Sequence, residues 1–186
     1  SLENSMTKFA FFFATILFAG ISQQSFSQNT ADSLRSLMQQ SDEKRKGELN
    51  IEIANYHLAE NPDSSIYYGL TARTIGKETN NHVLVIRSYS VVGEAYQRKS
   101  KFEKAIASYL KGLKLAEKHD EKSHAGTIYN GIGVCYFYLG NMDKAEKYMK
   151  LAAQAKKEAN DYRYYALIMA NLAGLQIMNQ SFDESI

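Results

Sequence analysis

The sequence predicts an all-α solenoid of antiparallel helix hairpins, and three observations carry that prediction. Tyr56, Tyr96 and Tyr136 recur at a spacing of 40, large apolar or aromatic residues do so at Leu49, Tyr89, Tyr129 and Met169, and Ile66, Ile106 and Ile186 share one phase. Ala105 and Ala145 share their phase with Ser65 and Ser185. A fixed period in this range marks units that bury an apolar face only by stacking on their neighbours. Within each period the apolar residues follow three-and-four spacing, which places them in stripes on helices. The composition, 45% hydrophobic and 23% charged with one proline, is that of a folded soluble chain with no sign of disorder.

From the N-terminus, residues 1–5 precede the first methionine and are set apart from the fold. Segment 6–27 has the layout of a secretory signal peptide. Lys8 precedes an apolar run over 9–21, and Ser25 and Ser27 supply the small residues of a cleavage site, so cleavage after Ser27 would leave Gln28 first. The run falls short of the roughly 20 residues needed to span a bilayer, so an uncleaved anchor is the weaker reading. No cysteine stands at the cleavage site to take a lipid.

Residues 28–45 are expected to form a capping helix, over 31–40, and a linker; repeat units then occupy 46–79, 86–119 and 126–159, with an incomplete fourth over 166–186. In the second unit a first helix over 87–99 carries Tyr89, Val92, Gly93 and Tyr96. After a polar turn at 99–101, a second helix over 102–119 carries Ala105, Ile106, Tyr109, Leu110, Leu113 and Ala116. The small residues Gly93 and Ala105 are expected to let the two backbones approach.

The third unit has Tyr129, Ile132, Gly133, Tyr136, Gly140, Ala145, Met149 and Ala152, and this pattern resembles the tetratricopeptide repeat (TPR). The second unit matches through Tyr89, Val92, Gly93, Tyr96, Ala105, Tyr109 and Gly112. A weaker match runs through Leu49, Tyr56, Ser65 and Ala72, where Asn61 and Pro62 form a helix start. The resemblance implies a right-handed superhelix whose packing core comprises Tyr56, Tyr89, Gly93, Tyr96, Ala105, Tyr109, Tyr129, Gly133, Tyr136, Ala145 and Met149. Two departures stand out. The family period is about 34 residues, so about six more are expected in connectors or helix ends, notably at 119–125. Glu117 and Lys157 stand where the family has its closing proline.

The resemblance also implies a binding face, lined by first-helix residues that do not enter the hairpin core. These are Asn50, Ala54 and His57 in the first unit, and Arg87, Ser90, Glu94 and Gln97 in the second. In the third they are Thr127, Asn130, Val134 and Phe137, and in the fourth Leu167, Ala170, Gly174 and Ile177. Only Asn50 and Asn130 resemble the carboxylate-gripping set of chaperone-binding members, and its lysines are missing.

Nothing in the sequence reads as a catalytic site, and no cofactor or metal is expected. Gly131-Ile132-Gly133 falls mid-helix without the strand and turn of a nucleotide motif. His119 and His124 are five apart in an expected solvated loop, a spacing that does not place two imidazoles on one helical face. The single Cys135 is expected to be a small buried hydrophobe. A net charge of +2, with Lys101, Lys104, Lys111 and Lys114 interspersed among Glu103, Glu117 and Asp120, argues against nucleic acid.

The expected partner is a protein or peptide, with membrane contact only through the signal segment or a segment downstream. Longer repeats of this kind behind a signal peptide resemble the exported N-terminal sensor regions of bacterial two-component histidine kinases and of TPR-bearing helix-turn-helix regulators. The alternative is a free periplasmic adaptor that organises a protein assembly. Met169, Leu172, Ala173 and Gln176 open a first helix whose partner would begin near Phe182. The chain is therefore expected to continue past Ile186, and the segment 166–186 to fray or to form a homodimer contact.

Overall fold

The computed structural model describes residues 28–183, and these form eight helices with no strand among them. They are α1 (Gln28–Gln39), α2 (Glu43–His57), α3 (Pro62–Glu78), α4 (His82–Arg98), α5 (Phe102–Lys118), α6 (Lys122–Tyr138), α7 (Met142–Glu158) and α8 (Tyr162–Asp183). Residues 1–27, among them the segment 6–27 expected to be a signal peptide, and residues 184–186 lie outside the described residues.

Consecutive helices pack on one another throughout, as a hairpin solenoid requires. The period of 40 is two half-periods of 20, each a helix of 17 residues and a three-residue turn, from α3 to α7. The turns are copies of one device. Asn80, Ser100, Asp120, Gly140 and Asn160, spaced 20 apart, all adopt positive φ between 51° and 74°. At the first of them Asn80 N–H bonds to Lys77 O at 3.3 Å and Asn81 N–H to Gly76 O at 2.8 Å, the two bonds of a Schellman motif. The same pair of bonds recurs at each of the other four turns. The residue after each left-handed position then starts the next helix. Asn81 and Asn141 cap with their side chains, accepting from Leu84 N and Lys144 N, whereas Lys101 and Glu121 make no side-chain cap.

This geometry corrects the expected connector at 119–125. The extra residues lengthen the helices: His119 closes α5, and His124 lies in the first turn of α6. The first helix of the second unit likewise starts at His82, five residues earlier than the periodicity of its aromatic residues indicated. Asn81 is the start signal that the stripe alone did not include.

The core is a chain of clusters, each shared by neighbouring hairpins. One holds Ile51, Ala54, Ala72, Leu84, Val91 and Val92; the next holds Ile86, Tyr109, Leu113, Ile128, Ile132 and Cys135; another holds Val134, Met149, Ala152, Ile168 and Leu172. Each fully buried Leu or Ile contributes about 1.5–3 kcal/mol relative to exposure. Of the expected packing residues, Ala105, Ala145 and Met149 are fully enclosed, Tyr109 nearly so, and Gly93 and Gly133 are buried. Tyr56, Tyr89, Tyr96, Tyr129 and Tyr136 are only partly buried, their rings packing inward while a polar edge stays at the rim. Tyr129 uses that edge to donate a 2.6 Å hydrogen bond to Glu117.

Gly93 serves differently from the expected approach to Ala105. A Cβ on it would lie 2.6 Å from the Tyr109 ring, and one on Gly131 would lie 2.5 Å from the same ring. The two glycines of α4 and α6 thus clasp the tyrosine of α5. At Gly133 the approach is the expected one: a Cβ there would stand 3.2 Å from Ala145 O and 2.9 Å from Met149.

A buried cation fastens the last hairpin. Lys156 of α7 is 2% exposed and reaches Asp161 at 2.9 Å and Ser123 at 3.0 Å, its ammonium also lying over the Tyr164 ring. Gly126 leaves room for its stem, since a Cβ there would meet Lys156 Cγ at 2.8 Å.

Candidate binding face

The first helices of the hairpins touch directly, α2 against α4 and α4 against α6, whereas α3, α5 and α7 make no comparable contact with each other. Helices that approach most closely lie on the inside of the curve, so α2, α4 and α6 line the inner face. Their N-terminal halves are tied across repeats by pairs one or two residues short of the period: Glu48 with Arg87, and Ser123 with Asp161 at 3.0 Å, 39 and 38 positions apart.

Helix α4 presents Arg87, Ser90, Glu94 and Gln97 at three-and-four spacing, all part-exposed. Arg87 is neutralised by Glu48 of α2. Gln97 is held in place as an acceptor, taking a bond from the Tyr109 hydroxyl at 3.2 Å and a weak one from the Cys135 thiol at 3.8 Å. Glu94 is the chemically distinctive member. Its side chain keeps 38% of its surface open, yet protein walls it in closely enough that desolvation raises its pKa above the ordinary carboxylate value, against the opposing pull of Arg98 at 3.6 Å. A cationic ligand group would be attracted to the part of Glu94 that stays open.

Helix α6 places Thr127 in solvent, its hydroxyl donating to Ser123 O at 3.2 Å, and sets Asn130 beside it. The Asn130 Oδ1 atom is shielded from solvent and accepts no hydrogen bond. An orphan acceptor of this kind is costly in a folded chain and calls for a donor, from water or from a ligand.

Four of the expected face residues are not available. Ala54 is fully enclosed in the cluster with Leu84 and Val91, and Asn50 is 1% exposed, its amide donating to Lys46 O at 2.8 Å. Val134 lies in the cluster with Ile168 and Leu172, and Phe137 in another with Leu175. The family offsets assume a shorter repeat; here full-length helices bring α8 over the end of α6 and close it. His57 is half buried, its ring stacked on Tyr68 at 5.8 Å. In the fourth set Ala170 and Ile177 are exposed and Leu167 and Gly174 part-buried. The open face is thus centred on Arg87, Ser90, Glu94, Gln97, Thr127 and Asn130. Sequence reading missed Glu48 and Arg98, although opposite charges at 48 and 87 carried the signal.

Cys135 is fully buried and its thiol is pushed up to about 12 by desolvation, so it is a packing residue and no nucleophile. Among the described residues no group of three or more His, Cys, Asp or Glu side chains is arranged to hold a metal ion. No described helix is long and apolar enough to cross a membrane.

Fold and face together define a TPR-like helical hairpin solenoid. Residues 86–119 and 126–158 match the family model described as tetratricopeptide repeat, and these stretches fall on the α4–α5 and α6–α7 hairpins. No curated protein matches the chain. Among solved structures, a Rap protein complexed with competence and sporulation factor superposes with a TM-score of 0.69 at 22% identity, over 77% of this chain and 41% of that one. Aspartyl phosphate phosphatase F from Bacillus subtilis gives 0.71 at 18% identity, over 77% and 38%. A signal-transduction ATPase with a tetratricopeptide repeat sensor, from Pyrococcus horikoshii, gives 0.66 at 20% identity, over 81% and 24%. At these identities the likeness is one of fold, and this chain spans about two fifths of the length of the first two.

Proposed function

We propose that this chain is a non-catalytic binding region that takes an extended peptide or protein segment along α4 and α6, and that it serves as the extracytoplasmic sensor part of a bacterial signal-transduction protein. The observation that carries the binding reading is the pairing of a walled-in carboxylate, Glu94, with the orphan acceptor Asn130 Oδ1 on the adjoining helix. Asn130 asks for a donor, and Glu94, paired only with Arg98 at 3.6 Å, keeps acceptor capacity; a peptide supplies backbone N–H groups and a basic side chain. The Rap protein, seen in complex with competence and sporulation factor, supports the idea that this fold accommodates such a ligand. The sensor reading draws on the signal-peptide layout of 6–27, which also makes the periplasm the proposed location.

A peptide-display selection followed by calorimetry tests the binding reading. The selected peptides should carry Lys or Arg, and Glu94→Lys should weaken binding at least about tenfold, while Lys104→Glu on an exposed part of α5 should change it little. Equal affinity for both variants would remove the proposal. Mass spectrometry of the exported protein tests the address. An N-terminus at Gln28 is expected, and a chain that stays in the cytoplasm with 9–21 intact would contradict it.

A further inference from the structure

Three of the chain's four histidines gather around one carboxylate at the junction between the second and third hairpins. Glu121 Oε1 lies 3.2 Å from His82 Nε2, and Glu121 Oε2 lies 3.4 Å from His124 Nδ1. His119 stacks on His82 with ring centroids 4.2 Å apart and planes within 9°. These groups come from three elements: the first residue of α4, the last turn of α5, and the start of α6. Glu121 also departs from the pattern of its turn. Asn81, 40 positions earlier, caps its helix, whereas Glu121 makes no cap bond and reaches sideways to the imidazoles instead. A side chain that forgoes its local role for two histidines points to the histidines as the feature being served.

We propose that this cluster is a pH-sensitive joint, closed when the imidazoles are neutral and opened as positive charge accumulates on it in mildly acidic solution. The inference goes beyond the binding proposal and does not depend on it. One proton is accommodated, because Glu121 balances it. Further protons have no second carboxylate to meet. Two imidazolium rings stacked face to face repel, and the other charged groups facing the cluster add to that. Arg87 of α4 and Lys156 of α7 both oppose a charge on His124, and Lys44 of α2 lines the same cavity as His82. The positive N-terminal ends of α4 and α6 point into the same junction. Glu48 and Asp161 are already engaged with Arg87 and Lys156.

The sign follows from His124. Desolvation holds its pKa below the ordinary histidine value, despite the contrary pull of Glu121. A depressed imidazole favours the closed form above the free value of about 6.5, and that contribution is lost as the pH falls below it. Opening the junction frees the start of α4 from the α5–α6 turn, and so changes how the hairpin carrying Glu94 meets the one carrying Asn130.

Backbone amide NMR of the protein from pH 7.5 to 5.0 tests the joint, with the shifts of residues 82–86 and 119–125 followed together. They are expected to move in one concerted transition, distinct from the amides of α2. His119→Phe keeps an aromatic ring on His82 but removes a charge, and should move the transition to lower pH by about half a unit or more. Glu121→Gln removes the carboxylate that both imidazoles meet and should move it to higher pH. Opposite displacements are the signature, since a merely structural role would shift both variants the same way. A wild-type protein whose 119–125 amides do not move, or two variants displaced in the same direction, would overturn the proposal. If His119→Phe does not fold, the direction of the Glu121→Gln shift alone decides it.

Discussion

At the scale of single residues, the fold depends on positions where two backbones or a backbone and a ring come close. Ala145 is fully buried with its carbonyl against Gly133, and there is no space for a larger group. Ala145→Leu should therefore cost about 1–3 kcal/mol through overpacking. Lys147, two residues on and exposed, should accept Leu with little change. Urea unfolding of the two variants checks this, and the reverse ranking would mean the register is wrong. The enclosure of Ala145 was legible because alanine recurs there at the period. The place of Gly93 was not, because its space is filled by the ring of Tyr109 from the next helix, and a sequence shows that a small residue is needed without showing what it admits. Burial of Asn50 and Val134 was invisible for a related reason, since it depends on how far neighbouring helices extend.

At the scale of elements, the turns repay closer reading than the stripes. Five left-handed residues recur at 20-residue spacing, and their identities, Asn, Ser, Asp, Gly and Asn, were the available signal for helix ends. The 40-residue aromatic period drew attention away from them. Serine tolerates the left-handed region less well than asparagine. Ser100→Gly should therefore stabilise the protein by about 0.5–1 kcal/mol, the relief of strain less the entropy of glycine. Asn160→Gly should be close to neutral. Thermal unfolding of the pair decides whether the turn geometry is right, and a destabilised Ser100→Gly would count against it.

The α6–α7–α8 junction gives a prediction in pH. Burial works to raise the pKa of Asp161, but the Lys156 ion pair and the Ser123 hydrogen bond outweigh it and hold the carboxyl below its ordinary value. A depressed carboxylate stabilises the fold above its free value of about 3.9, and that contribution disappears as the pH falls through the lowered one. Lys156→Met should cost about 2–3 kcal/mol at pH 7, less than for a fully enclosed pair because Asp161 keeps 25% of its side-chain surface. Denaturation at pH 7 and near pH 3 should show that gap closing. A gap of the same size at both would mean that packing of the lysine stem, and not the charge, sets the effect.

For the whole molecule, each cluster joins only neighbouring hairpins, so the structure is close to one-dimensional. The array was legible from the period alone. On the expected inner face all four α4 residues stay part-exposed, whereas α2 and α6 each lose two to packing. Helix α8 carries this further. It buries Ile168, Leu172 and Leu175 while Met169 and Ile177 stay exposed, so the family offsets no longer separate lining from core by its position in the array.

The central claim is that ligands lie across α4 and α6 on the inside of the curve. A selected peptide carrying a photoactivatable residue, cross-linked to the protein and mapped by mass spectrometry, tests it most directly. The account predicts adducts at Ser90, Glu94, Gln97, Thr127 or Asn130, lost when unlabelled peptide competes. Competable adducts confined to the exposed surfaces of α3, α5 and α7 would contradict it.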